Sequence, residues 1–198
     1  MTGADALDRA AAAVRAGKLV VYPTETVYGF GADALDADAV ARVFDAKRRD
    51  CSKPVSMAVP SVDAAADVTR LTDRERAFMR EFLPGPVTVV VERGPEVPDV
   101  LTGGRDRVGV RVPDHEDALA LLDRTPPLTA TSANVSGRES ARTVAALDPE
   151  IREAAAVVLD AGETAGGRGS TVVDVAAGTI HRRGPLADDI EAWLQERA

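Results

Sequence analysis

Cysteine is nearly absent from this 198-residue sequence, Cys51 being the sole example. Disulfide frameworks and cysteine-rich zinc sites both need several thiols at set spacings, so both are excluded and a cytoplasmic setting is the expectation. Histidine is almost as scarce. His115 and His181 do not form a helical HExxH pair, and Cys51 has no evident His and acid partners, which argues against a zinc hydrolase or a thiol enzyme. No apolar run approaches the roughly 18 residues that span a bilayer. The N-terminus is alanine-rich and amphipathic, with Asp5, Asp8 and Arg9 in place of a charged leader and apolar block, so neither export nor a membrane anchor is expected. Positive charge is the minority: 24 Lys and Arg stand against 32 Asp and Glu, a net charge of −8. Such a surface repels DNA and anionic membrane as a whole, and aromatics at 4% give few platforms for base stacking.

What is present is a 45% hydrophobic chain with 28% charged residues, enough to bury one core. From Ala4 to Ala16 apolar residues recur three and four apart, and Gly17 follows as a C-terminal stop, which predicts a helix. Lys18 to Tyr22 reads as a buried strand ended by Pro23. Asp36 is the N-cap of a second helix carrying Val40, Val43 and Phe44 on one face and ending at Lys47 to Arg49. Ser61 caps a short helix, and Thr72 with Glu75 forms a capping box for a helix ending near Leu83. Strands are expected at Val55 to Val59, Val87 to Val91, Val108 to Val112, Leu128 to Thr131, Val157 to Leu159, Thr171 to Val175 and Thr179 to Arg182. A last helix starts near Leu186. Alternating strands and helices without repeats or long polar linkers predict one α/β domain over 1–198. Val87 to Val112 and Val157 to Arg182 read as strand, loop, strand, so its open twisted sheet, flanked by helices, should be mixed.

Several segments depart from the acidic background. Tyr22 to Gly31 (YPTETVYGFG) runs from a strand into hydroxyls, a carboxylate and glycines, which suits either a small polar ligand or a capped turn. Lys47 to Lys53 (KRRDCSK) holds four cations in seven residues. Arginine forks and a lysine point charge suit a phosphate or carboxylate, and basic residues at a helix C-terminus also complement its dipole. On a strand, Arg107, Gly109 and Arg111 share one face, placing two guanidiniums around a gap. Thr131 to Gly137 (TSANVSG) is dense in hydroxyls, and Ala165 to Thr171 (AGGRGST) is rich enough in glycine to form a nest of N–H donors. Walker, dinucleotide and GxSxG signatures are missing. Without an evident nucleophile, catalysis would rest on positioning an anionic reactant, and the mix of cations, amides and hydroxyls suggests a nucleotide.

Taken in order, YPTETVYGFG at 22–31, KRR at 47–49 with Pro54, PGPVTVVV at 84–91, VGVRVPDH at 108–115, TSANVSG at 131–137, GSTVVD at 169–174 and IHRRG at 180–184 resemble the YrdC-domain family, the threonylcarbamoyl-AMP synthases. The length is similar to the family's short, single-domain form. The resemblance implies a YrdC-like α/β fold with a concave substrate cavity. It also implies an enzyme, a nucleotidyltransferase that condenses L-threonine, bicarbonate or CO2, and ATP into threonylcarbamoyl-AMP and pyrophosphate. That product serves threonylcarbamoyl-adenosine modification of tRNA, and the tRNA threonylcarbamoyl transferase complex would be the downstream partner.

Carried over by position, Thr24, Arg111, Ser132 and Ser170 would contact threonine, with Arg111 on its carboxylate. Lys47, Arg49, Asn134 and Arg182 would bind ATP, with Lys47 and Arg49 the catalytic cations beside a Mg²⁺ carried mostly by the triphosphate and no metal site made by the protein alone. Two departures stand out. Asp50 replaces the family's usual proline, and Ser56, Met57 and Ala58 offer no histidine where one often occurs. Arg107 and Arg142 stand near positions where the family often has threonine. Two rival readings are a non-catalytic RNA-binding relative of the same fold and a carbamoyltransferase module, which usually carries acylphosphatase and zinc-finger segments as well.

Overall fold

The computed structural model describes residues 2–197. Its first half runs α1 (Ala4–Arg15), β1 (Leu19–Tyr22), β2 (Gly29–Gly31), α2 (Ala37–Lys47), β3 (Ser56–Ala58), α3 (Val62–Val68), β4 (Thr69–Arg70), α4 (Asp73–Phe82) and β5 (Val87–Arg93). Then come α5 (Asp99–Thr102), β6 (Arg107–Arg111), α6 (Glu116–Leu122), β7 (Leu128–Ser132), α7 (Pro149–Ala154), β8 (Ala155–Val158), β9 (Thr171–Asp174), β10 (Thr179–Arg182) and α8 (Ala187–Glu196). The caps behave as their side chains dictate. Asp36 accepts from the N–H groups of Asp38 and Ala39, Ser61 from Ala64, and Thr72 and Glu75 complete their reciprocal box.

The strands form one mixed sheet in the order β10-β9-β5-β6-β3-β7-β2-β1-β8, with β4 added to β5. Sequence neighbours β1 and β2, β5 and β6, and β9 and β10 pair antiparallel, while β3–β6, β5–β9 and β1–β8 are parallel. One expectation is corrected by the pairing. The GFG of Gly29–Gly31 is a strand rather than part of a loop, because β1 and β7 pair with it on either side. The ring of Tyr22 fills the space where a side chain at position 29 would stand, 2.7 Å from the ideal Cβ, so a residue type poor in strand propensity is the one that fits. The segment from β8 to β9 is strand, loop, strand as expected, but the two strands are not neighbours. These strands lie seven strand spacings apart, about 34 Å at the usual 4.8 Å. Residues 159–170 make the crossing and bend on the way at Gly162, whose φ is 81°. They pass over the sheet's concave face, where Gly166 packs on Glu25 and Thr26.

Period-2 alternation divides the faces of the central strands. Met57, Val87, Val89, Val91, Val108, Val110 and Val173 point into the largest core cluster, which Phe44, Phe78, Ile190 and Trp193 complete from α2, α4 and α8. Leu7, Ala10 and Val14 of α1 pack with Leu121 and Leu122 of α6 around Val20 and Tyr22, and Val40 and Val43 of α2 are fully buried. The opposite residues, Ser56, Thr88, Val90, Arg107, Gly109, Arg111, Val172 and Asp174, turn toward a hollow.

Candidate functional site

The hollow is a cavity of about 950 Å³ on the concave face. That lies near the upper end of the range for small-molecule sites and leaves room for two ligands side by side. Its walls bring together Thr24, Arg49, Arg111, Ser132, Ser170 and Arg182 from six separate segments. Lys47 and Asn134, also expected there, are not among the lining residues.

Lys47 ends α2 and is 1% exposed. Its Nζ donates to the carbonyl of Ser132 and, at 2.6 Å, to that of Asn134, so its charge holds the loop after β7 rather than the cavity wall. Burial, seconded by the Arg49 charge and opposed by Asp148, lowers its pKa from 10.5 to about 8. Asn134 is equally engaged: its Nδ2 donates to the carbonyls of Val135 and Arg138, both at 2.9 Å, and its Oδ1 accepts from the Ser132 hydroxyl. The TSAN loop is thus a rigid shelf presenting Ser132.

Beyond Lys47 the chain turns at Arg48, whose φ of 48° lies in the left-handed region and reverses the backbone. Arg49 folds back so that Nε donates to Lys53 O at 3.0 Å and Nη2 to Pro54 O at 2.9 Å. The basic loop is therefore wrapped around its own arginine, and burial lowers that guanidinium's pKa.

On the opposite wall Arg182 lies over Ser170, with Nε donating to its carbonyl at 2.9 Å and Nη2 to its hydroxyl at 3.0 Å. Thr88 reaches the same hydroxyl at 2.8 Å, a contact fixed by the parallel register of Thr88 with Val172. Burial lowers the Arg182 pKa and the positive charge of Arg111 adds to it. Two cations repelling across one cavity favour an anion between them. Arg111 pairs with Glu25 through Nη2 and lies 3.5 Å from the Thr26 hydroxyl through Nη1. Thr24 sets the intervening turn by donating to Val27 O at 2.6 Å. Gly109, between Arg107 and Arg111, keeps the floor open: an ideal Cβ there would collide with Ser56 Oγ.

Comparison with known proteins decides the family. The family model covering Sua5, YciO and YrdC, described as "Telomere recombination", matches residues 12–184. The chain belongs to this family. A threonylcarbamoyl-AMP synthase of Pyrococcus abyssi is 40% identical over 168 residues, which cover 84% of this chain and 49% of that protein. The chain thus spans about half the length of that relative. Against a threonylcarbamoyl-AMP synthase of Xanthomonas axonopodis pv. citri the identity is 36% over 186 residues, 92% of this chain and 100% of the relative. The crystal structure of P. abyssi Sua5 complexed with L-threonine superposes with a TM-score of 0.79 at 39% identity, over 85% of this chain and 50% of that one.

Sequence reasoning missed several side chains of this cavity. Thr88, Asp174 and His181 line the cavity, and Glu25 stands next to Arg111. Glu25 had a signal, since it lies between the two threonines of PTET. Thr88 and Asp174 had none, because a valine-rich strand looks buried on both faces until its register is known. Among the described residues no group of three His, Cys, Asp or Glu side chains is placed to hold a metal ion, and no helix is long and apolar enough to cross a membrane.

Proposed function

We propose that this chain, acting as one YrdC-like domain, is an L-threonylcarbamoyl-adenylate synthase working in the cytoplasm. Arg111, Arg182 and Arg49 converge with the hydroxyls of Thr24, Ser132 and Ser170 on one cavity, and that convergence carries the reading. Arginines gathered in one hollow of a protein with net charge −8 concentrate anionic ligands where the remaining surface repels them.

The α-carboxylate of L-threonine would meet Arg111, and the triphosphate of ATP would lie against Arg182 and Arg49. Lys47 and Asn134 serve the nucleotide by fixing the TSAN loop on which Ser132 stands. Threonine's neutral amine adds to the carbon of CO2, supplied as such or by bicarbonate, and gives a carbamate after loss of a proton to solvent. A carbamate oxygen then attacks the α-phosphorus. The bond from that phosphorus to the bridging oxygen breaks, and pyrophosphate leaves with the electron pair. Holding both reactants together removes most of the entropic cost of this encounter, and the guanidiniums stabilise charge developing on the phosphate oxygens. The described residues offer no protein-only cage for Mg²⁺: Glu25 and Asp174 are paired with arginines. Mg²⁺ would enter on the triphosphate, and no step is assigned to a protein–metal bond. The mixed anhydride is reactive toward amines, so its consumer is a transferase acting on a tRNA adenosine.

Purified protein given ATP, bicarbonate and L-threonine should release pyrophosphate, and omission of threonine should abolish the signal. Threonine-independent release, or none with any amino acid, would refute the reading.

A further inference from the structure

Arg111 is the most deeply set of the cavity arginines at 9% exposure, and it is wired asymmetrically. Nη2 pairs with Oε1 of Glu25, the two side chains being 11% and 15% exposed. Glu25 Oε2 is buried without a partner, so the pair is made through one edge rather than as two parallel bonds. The remaining terminal nitrogen, Nη1, has only the Thr26 hydroxyl at 3.5 Å. Arg111 lines the cavity together with Thr24 and Thr26, whereas Glu25 does not. The cavity is thus bordered by the guanidinium and not by the carboxylate.

Glu25 is itself anchored at a junction. Its carbonyl accepts the N–H of Gly166 at 3.0 Å, and the next carbonyl, Thr26 O, accepts the Thr164 hydroxyl at 3.2 Å. The loop after β1, strand β6 and the segment crossing from β8 to β9 therefore meet at one ion pair.

We propose, resting on the synthase reading above, that Glu25 is a positioning residue for the amino-acid carboxylate, holding one edge of the Arg111 fork so that the other edge faces the ligand. A buried cation needs a counterion while the site is empty, and Glu25 supplies it permanently. Fork geometry matters because a guanidinium recognises a carboxylate through its plane as well as its charge.

The test varies L-threonine and ATP separately for the wild-type protein, Glu25→Gln and Glu25→Asp. Glu25→Gln keeps the shape and removes the charge, and should raise KM for threonine by about tenfold or more, as expected for losing a hydrogen bond to a charged group. KM for ATP should stay within about twofold and kcat within about threefold. Glu25→Asp, which keeps the charge, should recover part of the threonine affinity. Calorimetric titration of L-threonine should show the same ranking without turnover. L-threoninol, which lacks the carboxylate, should compete equally weakly in all three proteins.

A purely structural role would lower melting temperature and active fraction while leaving KM for threonine alone, and that pattern would overturn the proposal. So would a parallel rise in both KM values. If the wild-type protein itself shows no threonine-dependent pyrophosphate release, the synthase reading falls and takes this inference with it, an outcome distinct from a failure confined to Glu25.

Discussion

Arg107 and Arg111 lie on the same strand and the same face, one on either side of Gly109, yet they are partnered differently. Arg107 Nη2 donates to Val90 O at 2.6 Å and to Asp174 Oδ1 at 2.9 Å, and lies 3.4 Å from Glu75 Oε1. Glu75 uses its other oxygen to close the capping box of α4, and Asp174 accepts the Ala177 N–H in the turn between β9 and β10. Arg107 is thus a tie between a helix start, the cavity floor and a hairpin. Arg111 has one carboxylate, held by one edge, and faces the hollow. The lesson is that a cavity arginine should be read by the acids beside it: two internal carboxylates offset the charge of Arg107 through Nη2, and Arg111 has one.

Arg111→Ala should give the largest effect. Removing a buried cation from a charged recognition pair costs several kcal/mol, so threonine-dependent pyrophosphate release should fall by about 100-fold or more. Arg111→Lys should rescue little, since an ammonium cannot reproduce the fork. Circular dichroism melts run alongside will separate this from unfolding.

Arg107→Ala should do the reverse. It strands two largely buried carboxylates, Glu75 at 3% and Asp174 at 10% side-chain exposure, with an expected loss of about 2–4 kcal/mol. For a chain of this size that is a fall in melting temperature of roughly 4–16 °C. Turnover per folded molecule should stay within about threefold. A large activity loss at unchanged melting temperature would break the contrast between the two arginines.

Lys47 supplies a third kind of wiring, a cation held by carbonyls alone, and should give the smallest effect. Its pKa is lowered to about 8, chiefly by burial, so it loses its proton as pH rises through that value. The profile of kcat/KM for ATP, which reports the free enzyme, should decline by a few-fold on the alkaline side of about pH 8. Bound phosphates favour the charged lysine, so the corresponding limb in kcat should lie at higher pH. In Lys47→Arg the limb near 8 should be absent. A limb that persists in that variant belongs to another group.

Much of the scaffold was legible because it is written locally. The box of Thr72 and Glu75, the Asp36 cap and the alternation of Val108 and Val110 with Arg107, Gly109 and Arg111 each lie within a few residues. What escaped was set by distant partners. Gly29 and Phe30 become strand only through β1 and β7, and β8 and β9 lie far apart because other strands pair between them. Lys47 looks like a solvated helix end until carbonyls 85 and 87 positions away claim its ammonium. Arg107 likewise reads as a ligand-binding cation until its acids, 32 and 67 positions distant, are found.

The most direct measurement is a crystal structure of the protein with L-threonine and a non-hydrolysable ATP analogue together. Both molecules should occupy the cavity, with the threonine carboxylate within about 3 Å of Arg111 and the triphosphate against Arg49 and Arg182. Threonine bound away from Arg111, or a nucleotide seated outside the cavity, would contradict the shared site.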